Sequence, residues 1–361
     1  MKVNKASEII VYKWLKKGNM ARAMRDVLPS SGLSDKDREK IAEMVHDIVR
    51  FKKLYDYALA GEGKEKTPKN YVWLAHRREL LDKYKKLAFR ENLHEVYLSA
   101  SPTIAKIIMQ YPKFGEMINR EPRSHLSVNI NKIEISKAIE VLKEEGVNPK
   151  KCQPETCVAV DSRGRYSTLV NDGLAIVQDS SSQELSKLVS SLGTKILDFC
   201  AGSGGKSFTV KFFNPMAEVH VHDANEKKLN SLFLRAEKLG LEMRKFNFSG
   251  EYDVVLVDAP CSGLGSAARN PEAKYQEDLG EYPKTQMQIL EAAKGFVKDG
   301  GFLIYSVCTF NPEETYGVVE KFVNEHDFEE FQIASKHLKK EKIGSFITSG
   351  DIIYFAVLRK I

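Results

Sequence analysis

Apolar residues recur at helical spacing through the front of the chain. Ile9, Ile10, Val11, Trp14 and Leu15 fall on one face, and Ile41, Ala42, Val45, Ile48, Val49 and Leu54 repeat the 3.6-residue period. This pattern predicts helices across 7–60, with Ser34 and Asp35 placed to cap the second run. A polar break, G-E-G-K-E-K-T-P-K over 61–69, leads into further Lys- and Arg-rich helix reaching about residue 97. The period then changes. Residues 126–130 alternate as a strand does, 134–145 reads as helix, and Cys157–Val160 reads as a second short strand. From about residue 172, short apolar runs at 195–199, 218–222, 254–257, 302–305 and 352–358 alternate with helical stretches. Such alternation predicts an α/β fold around a mostly parallel, doubly wound sheet. The expected division is 1–100 helical and basic, 101–171 a small α/β module, and 172–361 the catalytic domain. Lys336 to Lys342 (K-H-L-K-K-E-K) is expected to be a solvated loop.

Composition narrows the class without choosing a function. The 361 residues, 42% apolar and 29% charged, describe a globular protein of two or three domains. No run approaches the roughly 18 apolar residues of a membrane span, and the N-terminal M-K-V-N-K-A-S-E lacks the apolar region of a secretory signal. No membrane partner and a cytoplasmic location are therefore expected. The five cysteines show no C-x-x-C spacing, and Cys152 with Cys157 lacks the second half of a zinc site. No metal is expected, and free thiols in a reducing compartment are the economical reading. Charge is uneven. Residues 1–150 hold 30 Lys+Arg against 20 Asp+Glu, whereas 151–361 hold 25 against 29. A basic front on a near-neutral back half points to a polyanion-gripping module joined to a catalytic one. A solvated, Lys-rich surface is the plainer alternative.

The segment I-L-D-F-C-A-G-S-G-G-K-S (196–207) joins a predicted strand to a predicted helix. Gly202, Gly204 and Gly205 let the backbone turn sharply and approach a ligand, and the helix N-terminus offers free N–H groups. Three ligand classes use such a loop. Gly205-Lys206-Ser207 and the strand ending in Asp258 match part of a P-loop, but Cys200 stands where its first glycine belongs. A dinucleotide fingerprint fails at Ser207. An S-adenosylmethionine site needs an acid before the glycines and a second at the next strand end, and Asp198 and Asp223 stand there. Asn247 and Asp258 then fall at the following strand ends, near the adenine and the methionine.

Cys261 in D-A-P-C-S-G (258–263) and Cys308 in S-V-C-T-F-N-P-E-E (306–314) each follow an apolar run. Strands of an open α/β sheet release functional residues at their carboxyl ends, so the two thiols are expected to share one crevice. Either alone reads as a small buried hydrophobe; the pair does not. An aromatic carbon is a poor nucleophile, but carbon 5 of a pyrimidine becomes reactive once a thiolate adds to carbon 6. A methyl donor beside active-site thiols therefore points to pyrimidine carbon-5 methylation, with Asp258 placed to stabilise the adduct.

D-F-C-A-G-S-G-G-K, D-A-P-C-S-G-L-G with R-N-P-E (269–272), and S-V-C-T-F-N-P-E-E together resemble the RNA 5-methylcytosine methyltransferases of the Nol/Nop/Sun (RsmB-like) family. Q-D-S-S-S-Q (178–183) resembles the segment preceding that family's cofactor domain, and the likeness covers about 100–325. The resemblance implies a Rossmann-like S-adenosyl-L-methionine methyltransferase domain, a helical NusB-like N-terminal region and a small α/β RNA-binding module. It implies that Cys308 adds to carbon 6, Cys261 assists release, Asp258 contacts base and cofactor, and Lys206 lies near the reacting centre. It also implies that Cys200, Ala201, Gly202, Ser203, Gly204, Gly205, Lys206, Asp223 and Lys228 hold the cofactor. Two positions depart from the pattern: the usual Pro of the glycine loop is Ser203, and the usual Thr before the second cysteine is Val307. The expected substrate is structured RNA, ribosomal first and transfer RNA second, handled by a monomer. An RNA-binding ribosome-assembly factor of weak activity and a P-loop NTPase are the alternatives.

Overall fold

The computed structural model describes residues 2–333 and 338–361. The chain divides into two compact units, one of Met1–Arg120 with Ser266–Asp278, the other of Glu121–Gly265 with Leu279–Ile361. Among the described residues, no helix is long and apolar enough to cross a membrane.

The first unit is helical. Val3–Lys17 buries Ile10, Val11 and Trp14 against Ile41, Val45, Ile48 and Val49 of Asp35–Arg50. Ser34 caps the latter helix by accepting the Asp37 N–H, as its position predicts. Leu15 departs from the expected face and is 39% exposed, because the buried stripe of Val3–Lys17 is narrower than the apolar run. Thr67 ends the polar break by capping Pro68–Ala75. Helix continues past residue 100, through Pro102–Gln110 and Pro112–Ile118. The segment 266–278 completes this unit from far along the chain. Its Lys274 is fully buried and donates to the carbonyls of Arg50 and Leu98 and to Asn119 Oδ1, at 2.6, 3.3 and 2.6 Å. Periodicity within 1–100 carries no trace of a partner this distant.

The second unit holds two sheets. Strands β1 (Ser124–Val128), β2 (Lys150–Lys151), β3 (Cys157–Val160) and β4 (Ala175–Val177) form an antiparallel sheet in the order β2-β3-β1-β4. Helix Ile135–Glu144 packs Ala138 and Leu142 onto Leu126, Val128 and Val158. The two strands unseen in the sequence are very short, and β4 extends the module beyond residue 171. Cys152 and Cys157 are joined in a disulfide, which corrects the expectation of free thiols at these positions. A tight turn, in which the Cys157 N–H donates to Pro154 O at 2.8 Å, brings their Cα atoms to 5.2 Å, inside the range a disulfide spans.

The larger sheet contains β5 (Lys195–Asp198), β6 (Glu218–Val221), β7 (Arg244–Lys245), β8 (Tyr252–Asp258), β9 (Val297–Val307), β10 (Phe328–Glu330), β11 (Lys339–Lys340), β12 (Ser345–Ile347) and β13 (Ile353–Lys360). Its order is β11-β12-β13-β9-β8-β5-β6-β7, with β10 also on β13. The five strands β5 to β9 are mutually parallel. The sheet is mixed rather than mostly parallel, because the C-terminal strands return antiparallel onto β9. Val254, Val255, Leu256 and Val257 are all buried, as expected of a strand covered on both faces. Lys339 and Lys340 are exposed but paired with Phe346 and Ser345, so this part of the expected loop is an edge strand. Its Lys336 and His337 lie outside the described residues. Strand order reverses between β5 and β8. Their carboxyl ends therefore flank the switch-point crevice in which α/β folds place ligands.

Candidate functional site

The strand ends at this switch point carry the residues singled out in the sequence. Asp258 closes β8 opposite Ser306 of β9. Two residues beyond Ser306, Cys308 meets Cys261, with the sulfurs 3.3 Å apart. Parallel neighbouring strands with loops of similar rise explain the convergence. Gly265 lets the two loops close: its N–H donates to Cys308 O at 2.9 Å, and a Cβ there would lie 2.0 Å from Ile352 O.

The pair is electrically asymmetric. The contact with Cys261 holds Cys308 below the usual thiol range; the Lys206 ammonium acts in the same direction, and burial and Asp258 oppose it. That same contact, with burial, pushes Cys261 well up. The two thiols thus differ in acidity, Cys308 being the more acidic. Lys206 Nζ donates to Asp258 Oδ2 at 2.5 Å, while Ser306 Oγ donates to Oδ1 at 2.8 Å. Burial opposes the Lys206 charge, but the Asp258 carboxylate more than offsets this and leaves its pKa raised.

The glycine loop leaves β5 as Cys200 to Gly204, and Gly205–Phe213 is the helix that follows. Gly202 and Gly204 both adopt left-handed backbone, with φ of +56° and +89°. The Ala201 N–H donates to His222 O at 2.8 Å and the Gly202 N–H to Asp223 Oδ2 at 2.8 Å, which fixes the loop against the end of β6. Asp223 Oδ1 accepts the Asn225 N–H, also at 2.8 Å. A Cβ on Gly202 would meet nothing within 4 Å, so open space faces the loop. Asp198 is fully buried. Its Oδ2 accepts from Ser207 Oγ at 2.6 Å, whereas its Oδ1 has no partner. Burial raises the Cys200 thiol pKa, with Asp198 adding to the effect and Lys228 opposing it. Ser203 O accepts from Arg235 at 2.7 Å.

Lys228 is exposed in Glu226–Leu239, and the helix is capped by Asn225. Asn247 is exposed just past β7, and its Oδ1 accepts from Ser249 Oγ at 2.8 Å. Its neighbours Phe246 and Phe248 form an aromatic cluster with His222.

Several side chains in the site had no role assigned from sequence. Glu314 is buried and accepts from the Ser262 N–H, Gln286 Nε2 and Asn311 Nδ2 at 2.8, 3.1 and 3.2 Å. Ser306 steadies Asp258. Glu314 stands in the quoted N-P-E-E run, so an acid in a buried motif was its available signal; Gln286, far off on a helix, had none. Gln178 and Gln183 of the Q-D-S-S-S-Q segment are buried in a polar seam. Thr156 donates to Gln183 at 2.8 Å and Thr209 donates to Gln178, joining the small sheet to the glycine-loop helix.

Residues 187–352 match the family model described as 16S rRNA methyltransferase RsmB/F. Ribosomal RNA small subunit methyltransferase B of Citrobacter koseri is 30% identical over 240 residues, 60% of this chain and 56% of that protein. The probable ribosomal RNA small subunit methyltransferase B of Coxiella burnetii is 29% identical over 291 residues, 72% of this chain and 67% of that protein. The matched region thus spans little more than half the length of the Citrobacter protein. Among solved structures, PH0851 superposes with a TM-score of 0.77 at 19% identity, covering 100% of this chain and 99% of that one. NSun6 from Pyrococcus horikoshii with SFG gives 0.58 at 17% identity, covering 77% and 97%. At these identities the structural likeness establishes the fold, which is the expected Rossmann-like architecture.

Proposed function

We propose that this chain, whose residues 187–352 match the RsmB/F methyltransferase family model, is an S-adenosylmethionine-dependent RNA cytosine-5 methyltransferase acting on ribosomal RNA. The observation that carries this reading is the 3.3 Å approach of Cys261 and Cys308 beside the Lys206–Asp258 pair.

The glycine-loop residues suit a nucleoside-type cofactor. Open space lies against Gly202, the Asp223 carboxylate keeps lone pairs for ribose hydroxyls, and the orphaned Asp198 Oδ1 is an acceptor in need of a donor. Cys200 to Lys206, Asp223 and Lys228 would hold the cofactor, and Asn247 would stand near the adenine. When bound, S-adenosylmethionine supplies the electrophilic methyl group.

The protein's own part begins at Cys308. Its thiolate adds to carbon 6 of a flipped cytosine, forming an S–C bond and making carbon 5 nucleophilic. Asp258, fixed from both sides by Ser306 and Lys206, accepts from the exocyclic amino group and orients the ring, while the Lys206 ammonium offsets the negative charge that the thiolate brings into it. After carbon 5 is methylated, water takes its proton, the electron pair of that C–H bond re-forms the 5,6 double bond, and the Cys308–carbon 6 bond breaks. As it breaks, Cys261 donates a hydrogen bond from its S–H to the departing sulfur, which makes that sulfur a better leaving group. The front helices, NusB-like by resemblance, and the small α/β module would grip RNA through phosphates and shape. The protein would act as a cytoplasmic monomer.

The test is methylation in vitro of ribosomal RNA from cells lacking this gene, read by bisulfite sequencing. A protected cytosine appearing only with cofactor supports the reading. Methylation confined to transfer RNA would overturn the ribosomal assignment, and no protected cytosine in either would overturn the chemistry.

A further inference from the structure

Helix Arg78–Arg90 and the short helix His94–Leu98 share a surface that neither the fold nor the thiol site explains. Phe89 is 63% exposed, and its ring centroid lies 5.2 Å from that of Tyr97. Lys85 Nζ sits 5.5 Å above the Tyr97 ring. Asp82, Lys86 and Arg90 complete the wall of a cavity of about 390 Å³.

Charge is the second feature of this surface. Lys52, Lys53 and Arg78 of the same unit each hold a carboxylate. Among the described residues, Lys85, Lys86 and Arg90 have none within ion-pair distance. A merely solvated lysine face has no use for an exposed phenyl ring at its centre. An exposed ring costs hydration free energy that a stacked partner would recover. Three cations against one carboxylate, around an aromatic pair, match the two needs of a nucleotide, a flat face for the base and positive charge for the phosphates.

We propose that Phe89 and Tyr97 form a stacking platform for an unpaired nucleotide of the RNA substrate, with Lys85, Lys86 and Arg90 holding the flanking phosphates. The proposal rests on RNA being the substrate and adds where and how an unpaired segment is held. Unpaired RNA is favoured over duplex because a base inside an A-form helix offers no free face to a side chain. Phe89 takes the base and Tyr97, tilted by 52° against it, supports the ring. Recognition of this kind is tolerant of sequence, so it anchors a single-stranded segment rather than reading it.

The test uses the full chain and an oligoribonucleotide of roughly ten residues carrying 2-aminopurine. Wild type should bind the single strand with quenching of the fluorophore, and should bind the matching duplex more weakly. Phe89→Ala should weaken single-strand binding on the order of tenfold and abolish quenching, while Phe89→Trp should preserve both. Lys86→Ala with Arg90→Ala should lower the slope of log affinity against log salt by about 1.4. Unchanged affinity and quenching in Phe89→Ala, with wild type binding normally, overturns the platform and leaves the methyltransferase reading intact. Tighter binding of duplex, or equal competition by polyglutamate, also overturns it. A wild type that binds neither RNA sinks the platform and the RNA reading together.

Discussion

The Ser262 amide donates to the Glu314 carboxylate at 2.8 Å, and this bond helps tie the loop of Cys261 to the loop of Cys308. Gln286 and Asn311 donate to the same buried carboxylate. Truncating Glu314 to Ala would orphan three buried donors, at about 1–3 kcal/mol for each group left unsatisfied. The 3.3 Å sulfur contact would loosen with them. Glu314→Ala should therefore lower the unfolding midpoint and reduce methyl transfer at least tenfold, with cofactor affinity changed little because the glycine loop is untouched. Calorimetric titration beside a turnover assay separates the two; equal loss in both would refute this coupling.

The asymmetry of the thiol pair makes the two cysteines inequivalent. On the proposed mechanism, Cys308→Ala removes the nucleophile and should abolish both turnover and any covalent protein–RNA complex. Cys261→Ala keeps the nucleophile but removes the donor to the departing sulfur, so a denaturant-resistant RNA adduct should accumulate in the presence of cofactor. Denaturing gel electrophoresis reads both outcomes. An adduct in Cys308→Ala and none in Cys261→Ala would reverse the assigned roles.

Much of this site was legible because strands of an open sheet end in short loops. Once 254–257 and 302–305 read as buried strands, Cys261 and Cys308 could hardly avoid one crevice, and Asp198, Asp223 and Asp258 followed from the same geometry. What escaped depends on contacts far apart in the chain. Nothing in the pattern around Lys274 reveals that it buries its ammonium among Arg50, Leu98 and Asn119 of the front helices. The two-residue strand Lys150–Lys151 is too short for any period to show. Nor does spacing alone distinguish the Cys152–Cys157 disulfide from two free thiols; the turn at Pro154 decides it.

Two glycines of one loop should respond differently to the same substitution. Both have positive φ, which costs an alanine about 1 kcal/mol. At Gly204 the added Cβ would also lie 2.4 Å from the Phe208 ring and 2.8 Å from Leu232 Cγ, whereas at Gly202 it meets only open space. Gly204→Ala should be the more destabilising by a further 1–3 kcal/mol, roughly the cost of overpacking a core. Gly202→Ala should fold nearly as well as wild type but bind S-adenosylmethionine more weakly, because its methyl projects where the ligand would lie. Urea midpoints and calorimetric affinities check the pair. Gly202→Ala binding with unchanged affinity would remove that space from the cofactor site.

Asp198 gives the cofactor-free protein a pH dependence of predictable sign. Burial pushes its carboxyl up to about 7, Ser207 opposes the shift and Asp258 adds to it. In the unfolded chain the same group titrates near 3.9. The folded state therefore holds this proton more tightly, and the stabilisation is complete below about pH 4. It is lost progressively as pH rises to about 7, by on the order of 4 kcal/mol in all. Asp198→Asn cannot ionise and still offers Ser207 an acceptor, so it should lack this component. The stability of wild type minus that of Asp198→Asn should fall between pH 4 and 7 and level off above. Urea titrations at pH 4.5, 6 and 8 measure the difference, and a wild-type curve running parallel to that of the variant would show that Asp198 stays ionised throughout.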